Sequence, residues 1–112
     1  MTVVASSRQW YFAAMTRQDI LDRLKEIEPA LRERGVLHAA LFGSRARGDE
    51  TPESDTDILI EVDPALRMTI YEYVGLKDFI SDFFTIKTDV VSLRNLKPRV
   101  AEDAAKDAIY AF

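Results

Sequence analysis

The 112-residue sequence contains no cysteine and a single histidine, His38. Without cysteine, disulfides, thiolate metal sites and cysteine nucleophiles are all excluded. A lone histidine excludes His-rich zinc chemistry and any two-histidine metal site. No apolar run reaches the roughly 18 residues needed to span a bilayer. The N-terminus has no basic region followed by an unbroken apolar stretch, so no secretory signal is read and a cytoplasmic protein is expected. Positive charge is also in short supply: 15 Lys and Arg face 19 Asp and Glu, for a formal net charge of −4. An acidic domain repels polyphosphate, which argues against gripping long nucleic acid. What is present is an ordinary globular balance, 47% hydrophobic and 30% charged. A chain of this length has one core and no room for a second lobe.

Residues 1–15 show no clean period and are read as an arm set apart from a domain at 16–112. The arm is either poorly ordered or a short strand, and its Trp10-Tyr11-Phe12 trio suits docking on this or another chain. Thr16 and Asp19 have the spacing of a helix cap, and Ile20, Leu21, Leu24, Ile27 and Leu31 recur at helical period. Pro29 should kink that helix or open a second segment, and Gly35 suits its stop. Residues 36–42, VLHAALF, read as a buried strand in which His38 is a packed residue. GSRARGDETPESD is rich in turn residues and predicts a loop, with room for one helical turn. Residues 57–62 read as a second strand, 68–84 as a helix, 86–92 as a third strand and 98–110 as a last helix with Glu102 and Lys106 spaced to pair. Strands alternating with helices predict an α/β sheet covered by helices.

The chemistry concentrates between Phe42 and Glu61. Gly43-Ser44 follows a strand, and ten residues later Asp55-Thr56-Asp57 enters the next. Residues two apart in a strand share a face, so Asp55 and Asp57 aim at one spot. Asp89 lies in the following strand, flanked by Val90 and Val91. If the two strands are neighbours, three carboxylates converge. Such a cluster either raises a pKa sharply or holds a cation. Oxygen-only ligation suits Mg²⁺, and three acids suit a pair of Mg²⁺ ions clamping a phosphoryl transfer. Glycine lets a phosphate approach the backbone, and the Ser44 hydroxyl can donate to it. Arg45 and Arg47 add positive charge beside the loop, either touching triphosphate or pointing to solvent.

Gly43-Ser44, ten residues, then Asp55-x-Asp57 is similar to the signature of the polymerase-β-like nucleotidyltransferases. The wider string LFGSRARGDE…SDTDILIE, with TDVVSLRNLKPRV beyond it, closely resembles the minimal nucleotidyltransferases of prokaryotes over about residues 17–110. The resemblance implies a small mixed sheet with helices packed largely on one face. It implies that Asp55 and Asp57 hold Mg²⁺, that Asp89 completes a metal site and helps activate the acceptor hydroxyl, and that Gly43 and Ser44 hold the nucleotide phosphates. The implied reaction moves AMP from ATP to a hydroxyl, releasing pyrophosphate. Members of this branch usually act as antitoxins, adenylylating a tyrosine of a partner HEPN-domain ribonuclease toxin.

Each feature has a plainer reading. Asp55 and Asp57 could be turn or cap residues, Asp89 could face solvent, and Ser44 could simply form a turn. Ser54 is read as ordering the turn before Asp55, and Glu61 as a surface or supporting residue on the same strand face. The helix at 68–84 carries more apolar and aromatic residues than one buried stripe requires; core packing explains most of them, and the remaining edge suits a partner surface. Two rival functions stand beside adenylylation of a toxin. One is a non-catalytic antitoxin that binds and occludes its partner; a homo- or hetero-oligomer is compatible with either function. The other is a nucleotidyltransferase that modifies a small alcohol such as an aminoglycoside.

Overall fold

The computed structural model describes residues 16–51 and 54–112; the arm at 1–15 lies outside them. The chain begins with α1 (Arg17–Glu26), whose N-cap Thr16 and Asp19 close a reciprocal capping box. α2 (Glu28–Glu33) follows with Pro29 in its first turn, so the proline opens a new segment instead of bending the old one. Then come β1 (Val36–Phe42), the single turn α3 (Ser44–Arg47) and β2 (Thr56–Val62). α4 (Ile70–Ser81) is shorter at both ends than the periodicity suggests, because Thr69 and Glu72 form a second capping box. β3 (Thr88–Ser92) leads through a 3₁₀ turn at Leu93–Asn95 to α5 (Pro98–Asp107) and β4 (Ile109–Tyr110).

The four strands form one mixed sheet in the order β3-β2-β1-β4. β1 runs antiparallel to β2, and β2 runs parallel to β3. Consequently the C-terminal end of β1 and the N-terminal ends of β2 and β3 lie along one edge of the sheet. On one face Ala39, Leu41, Ile58, Ile60 and Val90 meet Ile20 and Leu24 of α1, Leu31 of α2, and Leu76 and Ile80 of α4. This is the core, and alternation along β2 sends Asp57, Leu59 and Glu61 to the opposite face. A bulge at Leu37 lets both Val36 and Ala39 reach the core although their numbers differ in parity.

Three expectations need correction. β4 was not foreseen: the final helix stops at Asp107, and two residues add an edge strand to β1. Glu102 and Lys106 form no ion pair. His38 is exposed rather than packed; it sits opposite Glu61, with Nδ1 3.4 Å from the Phe112 carbonyl oxygen and its ring edge-on to Tyr110. On α4, Phe79 and Phe83 are half-buried in edge-to-face contact, while Ile70, Tyr71 and Val74 are exposed. Among the described residues no helix is long and apolar enough to cross a membrane.

Ile58 is fully buried at the centre of the sheet. Ile58→Ala is expected to lower unfolding free energy by about 2–5 kcal/mol, combining lost transfer energy with a residual cavity. An unchanged denaturation midpoint would contradict the core described above.

Candidate active site

The edge shared by the end of β1 and the starts of β2 and β3 carries the residues singled out by motif. Gly43 leaves β1 at φ 76° and caps α3, and Gly48 closes that turn at φ 86° in the left-handed region. A side chain at Gly43 would be strained and would also collide with the Asp57 carboxylate. The glycine therefore brings its backbone directly against that acid. Ser44 begins α3, and its carbonyl accepts from Gly48 and Asp49 N–H at 2.8 and 3.0 Å, which fixes the turn.

Asp57 and Asp89 are direct neighbours in the parallel register of β2 and β3, so both side chains leave the same face. Asp55 lies two residues before Asp57. Burial raises the Asp57 pKa first, followed by the charges of Asp89 and then Asp55; Arg47 and Arg45 offset part of this. The structure thus gathers all three acids, Gly43, Ser44 and both arginine charges at one edge. The acids are adjacent but not closed up: among the described residues no three His, Cys, Asp or Glu side chains stand close enough to enclose a metal ion.

The arginines are occupied. Arg45 is turned inward, 6% exposed, and donates from Nη2 to the Ser54 carbonyl at 2.9 Å, with Nε unpartnered. Arg17 donates to the Arg45 carbonyl at 3.3 Å, tying α1 to this turn. Arg47 pairs with Asp49 and Asp107 at 3.1 and 3.0 Å, joining the turn to the end of α5. Ser54 orders the loop before Asp55 by accepting the Thr51 N–H at 2.9 Å. Glu61 lies further along β2, opposite His38, and its charge contributes to raising the Tyr110 pKa after burial.

Motif reasoning did not single out Lys87. Its carbonyl accepts the Thr56 N–H at 2.9 Å, and its Nζ stands 3.8 Å from Asp55 Oδ2. The signal was available as a lysine two residues before Asp89 in IKTDVVS.

The side chains gathered here offer oxygen donors and no nitrogen or sulfur ligand, the donor type a hard divalent cation takes. Burial and the neighbouring acids load negative charge on Asp57 that Arg47 and Arg45 offset only in part, and a Cβ at Gly43 would press on that carboxylate. The nucleotidyltransferase domain family matches residues 24–111. The chain belongs to this family. It is 32% identical over 97 residues to an inferred protein adenylyltransferase of Methanocaldococcus jannaschii, MJ1379, covering 85% of this chain and 97% of that one. It is 27% identical over 99 residues to protein adenylyltransferase MntA of Thermococcus cleftensis, covering 88% and 98%. Among solved structures, one described as an inferred minimal nucleotidyltransferase superposes with a TM-score of 0.71 at 27% identity, covering 87% of this chain and 97% of that one. A tri-AMPylated Shewanella oneidensis HEPN toxin in complex with its MNT antitoxin shares the fold at 17% identity, TM-score 0.60, covering 83% and 71%. The nucleotidyltransferase is thus an enzyme with a small mixed sheet, built to the plan of the minimal nucleotidyltransferases.

Two outcomes follow for this site. The folded-state pKa of Asp57 lies above its unfolded value, so stability falls as pH rises from the unfolded to the folded pKa and stays reduced above it. Asp57→Asn removes that burden. In chelator at neutral pH it is expected to stabilise by about 0.5 kcal/mol after allowing for solvent screening, about 2 °C in Tm, with no gain below the carboxylate range. A destabilised variant would contradict the electrostatics. Gly43→Ala is expected to cost about 1–3 kcal/mol from backbone strain and collision, read by thermal melting, and to remove transferase activity.

Proposed function

We propose that this nucleotidyltransferase moves AMP from ATP to a hydroxyl of a partner protein, specifically a tyrosine of a HEPN-domain ribonuclease toxin, and thereby acts as its antitoxin. The carrying observation is the side-by-side pairing of Asp57 and Asp89 beneath Gly43, with Asp55 adding a further carboxylate. Support comes from relatives named for protein adenylylation, matched over nearly their full length. Further support comes from fold neighbours: one is a toxin–antitoxin structure with AMP-PNP at 21% identity, TM-score 0.63, and another is the complex with the tri-AMPylated toxin.

In this reading Gly43 and Ser44 hold the triphosphate, the glycine by close backbone approach and the serine through its hydroxyl. Arg45 keeps the loop in place through Ser54, and the Arg47 charge lies on the same flank. Asp55, Asp57 and Asp89 would hold Mg²⁺, as two ions; these supply charge neutralisation on the phosphates and orient the reacting oxygens. The acceptor oxygen forms a bond to the α-phosphorus while the α–β bridging P–O bond breaks and pyrophosphate leaves. Asp89 takes the proton of the acceptor hydroxyl. The protein's contribution is positioning and preorganised charge.

The test incubates the chain with α-labelled ATP, Mg²⁺ and the product of the neighbouring gene, expected to be a HEPN-domain protein. Label is expected on a tyrosine of that protein, with a drop of at least about 100-fold in Asp57→Asn, several kcal/mol of lost transition-state stabilisation. An Asp57→Asn chain that neutralises the toxin fully without labelling it would replace this reading with occlusion.

A further inference from the structure

We infer that Lys87 is the cation of the acceptor side: it leaves Asp55 to sit against the attacking oxygen and stabilises the charge that develops there as the proton departs. This rests on the adenylyl-transfer reading. Lys87 is pinned by its carbonyl to Thr56 N–H just ahead of β3, two residues before Asp89, and its Nζ reaches the carboxylate of Asp55. Its side chain is 83% exposed, and among the described residues its one ion pair, to Asp55, is long at 3.8 Å. Such a pair contributes little to folding and is readily exchanged.

The two flanks of β2 are charged differently. On the β1 flank stand Gly43 and Ser44 with Arg45 and Arg47, both guanidinium groups already engaged by protein oxygens. On the β3 flank stand Asp89 and Lys87. In phosphoryl transfer the attacking and leaving oxygens lie roughly in line. If pyrophosphate departs toward Gly43 and Ser44, the acceptor enters from the β3 flank. There Asp89 removes its proton and Lys87 is the ammonium in reach of the oxygen that gains charge. A cation aimed at developing charge favours the transition state over the bound ground state.

The test compares Lys87→Met and Lys87→Arg with the parent chain, using α-labelled ATP, Mg²⁺ and the HEPN protein. Lys87→Met is expected to keep its melting temperature and to hold KM for ATP within about twofold, while kcat falls about 10–100-fold. Lys87→Arg restores most of the loss, because charge rather than shape is required. A rise in KM for ATP with kcat unchanged would move Lys87 to the phosphate side and overturn the inference, as would unaltered kinetics in Lys87→Met. If the parent chain labels no protein, the adenylyl-transfer reading fails and takes this role with it. If the parent labels and Lys87→Met labels equally, only the role of Lys87 fails.

Discussion

Two carboxylates held side by side on adjacent parallel strands repel each other, and this arrangement governs the site. Asp57 and Asp89 share a register position, Asp55 lies two residues before Asp57, and burial adds to the burden on Asp57. The fold tolerates this because the opposite face of the same strands is committed to the core. Ile58, Ile60 and Val90 are buried there, so neither β2 nor β3 can rotate its acids away without exposing the residues between them.

The surroundings of the acids follow from the same constraint. Gly43 must lack a side chain because Asp57 occupies the space beside it. Arg45 and Arg47 lower the penalty on Asp57 while being held by Ser54, Asp49 and Asp107. Their engagement ties the turn at Ser44–Arg47 to its neighbours: to α1 through Arg17 and to α5 through Asp107. Lys87 is the contrasting element, exposed and loosely paired. A preorganised flank next to an adaptable one suits the proposed transfer, with the nucleotide gripped on one side and the acceptor on the other.

Much of this was readable along the chain because it is local. Thr16 with Asp19 and Pro29 in a first turn are contacts within four residues, and each formed as the sequence pattern indicates. The spacing of Gly43-Ser44 and Asp55-x-Asp57 is likewise a property of the linear chain. Failures arose where a residue's surroundings come from a distant segment. β4 is two residues long and exists by pairing with β1, so no periodicity announces it. His38 lies in an apolar run, but the pleat turns it to the face opposite the core, across from Glu61. Arg45 carries the look of a solvent-facing loop residue, yet it is buried against the Ser54 carbonyl.

Composition and spacing alone were enough to establish a cysteine-free, acidic α/β domain with a glycine–serine turn and an Asp-x-Asp pair, since these need nothing beyond residue identity and the two-residue pleat of a strand. Sheet order and strand direction lay beyond that reach. Antiparallel pairing of β1 with β2 and parallel pairing of β2 with β3 brought Gly43, Asp57 and Asp89 to a common edge. The reason is that strand pairing is chosen by burial of a shared apolar face across segments tens of residues apart, a choice made by the folded whole and not by any one stretch of chain.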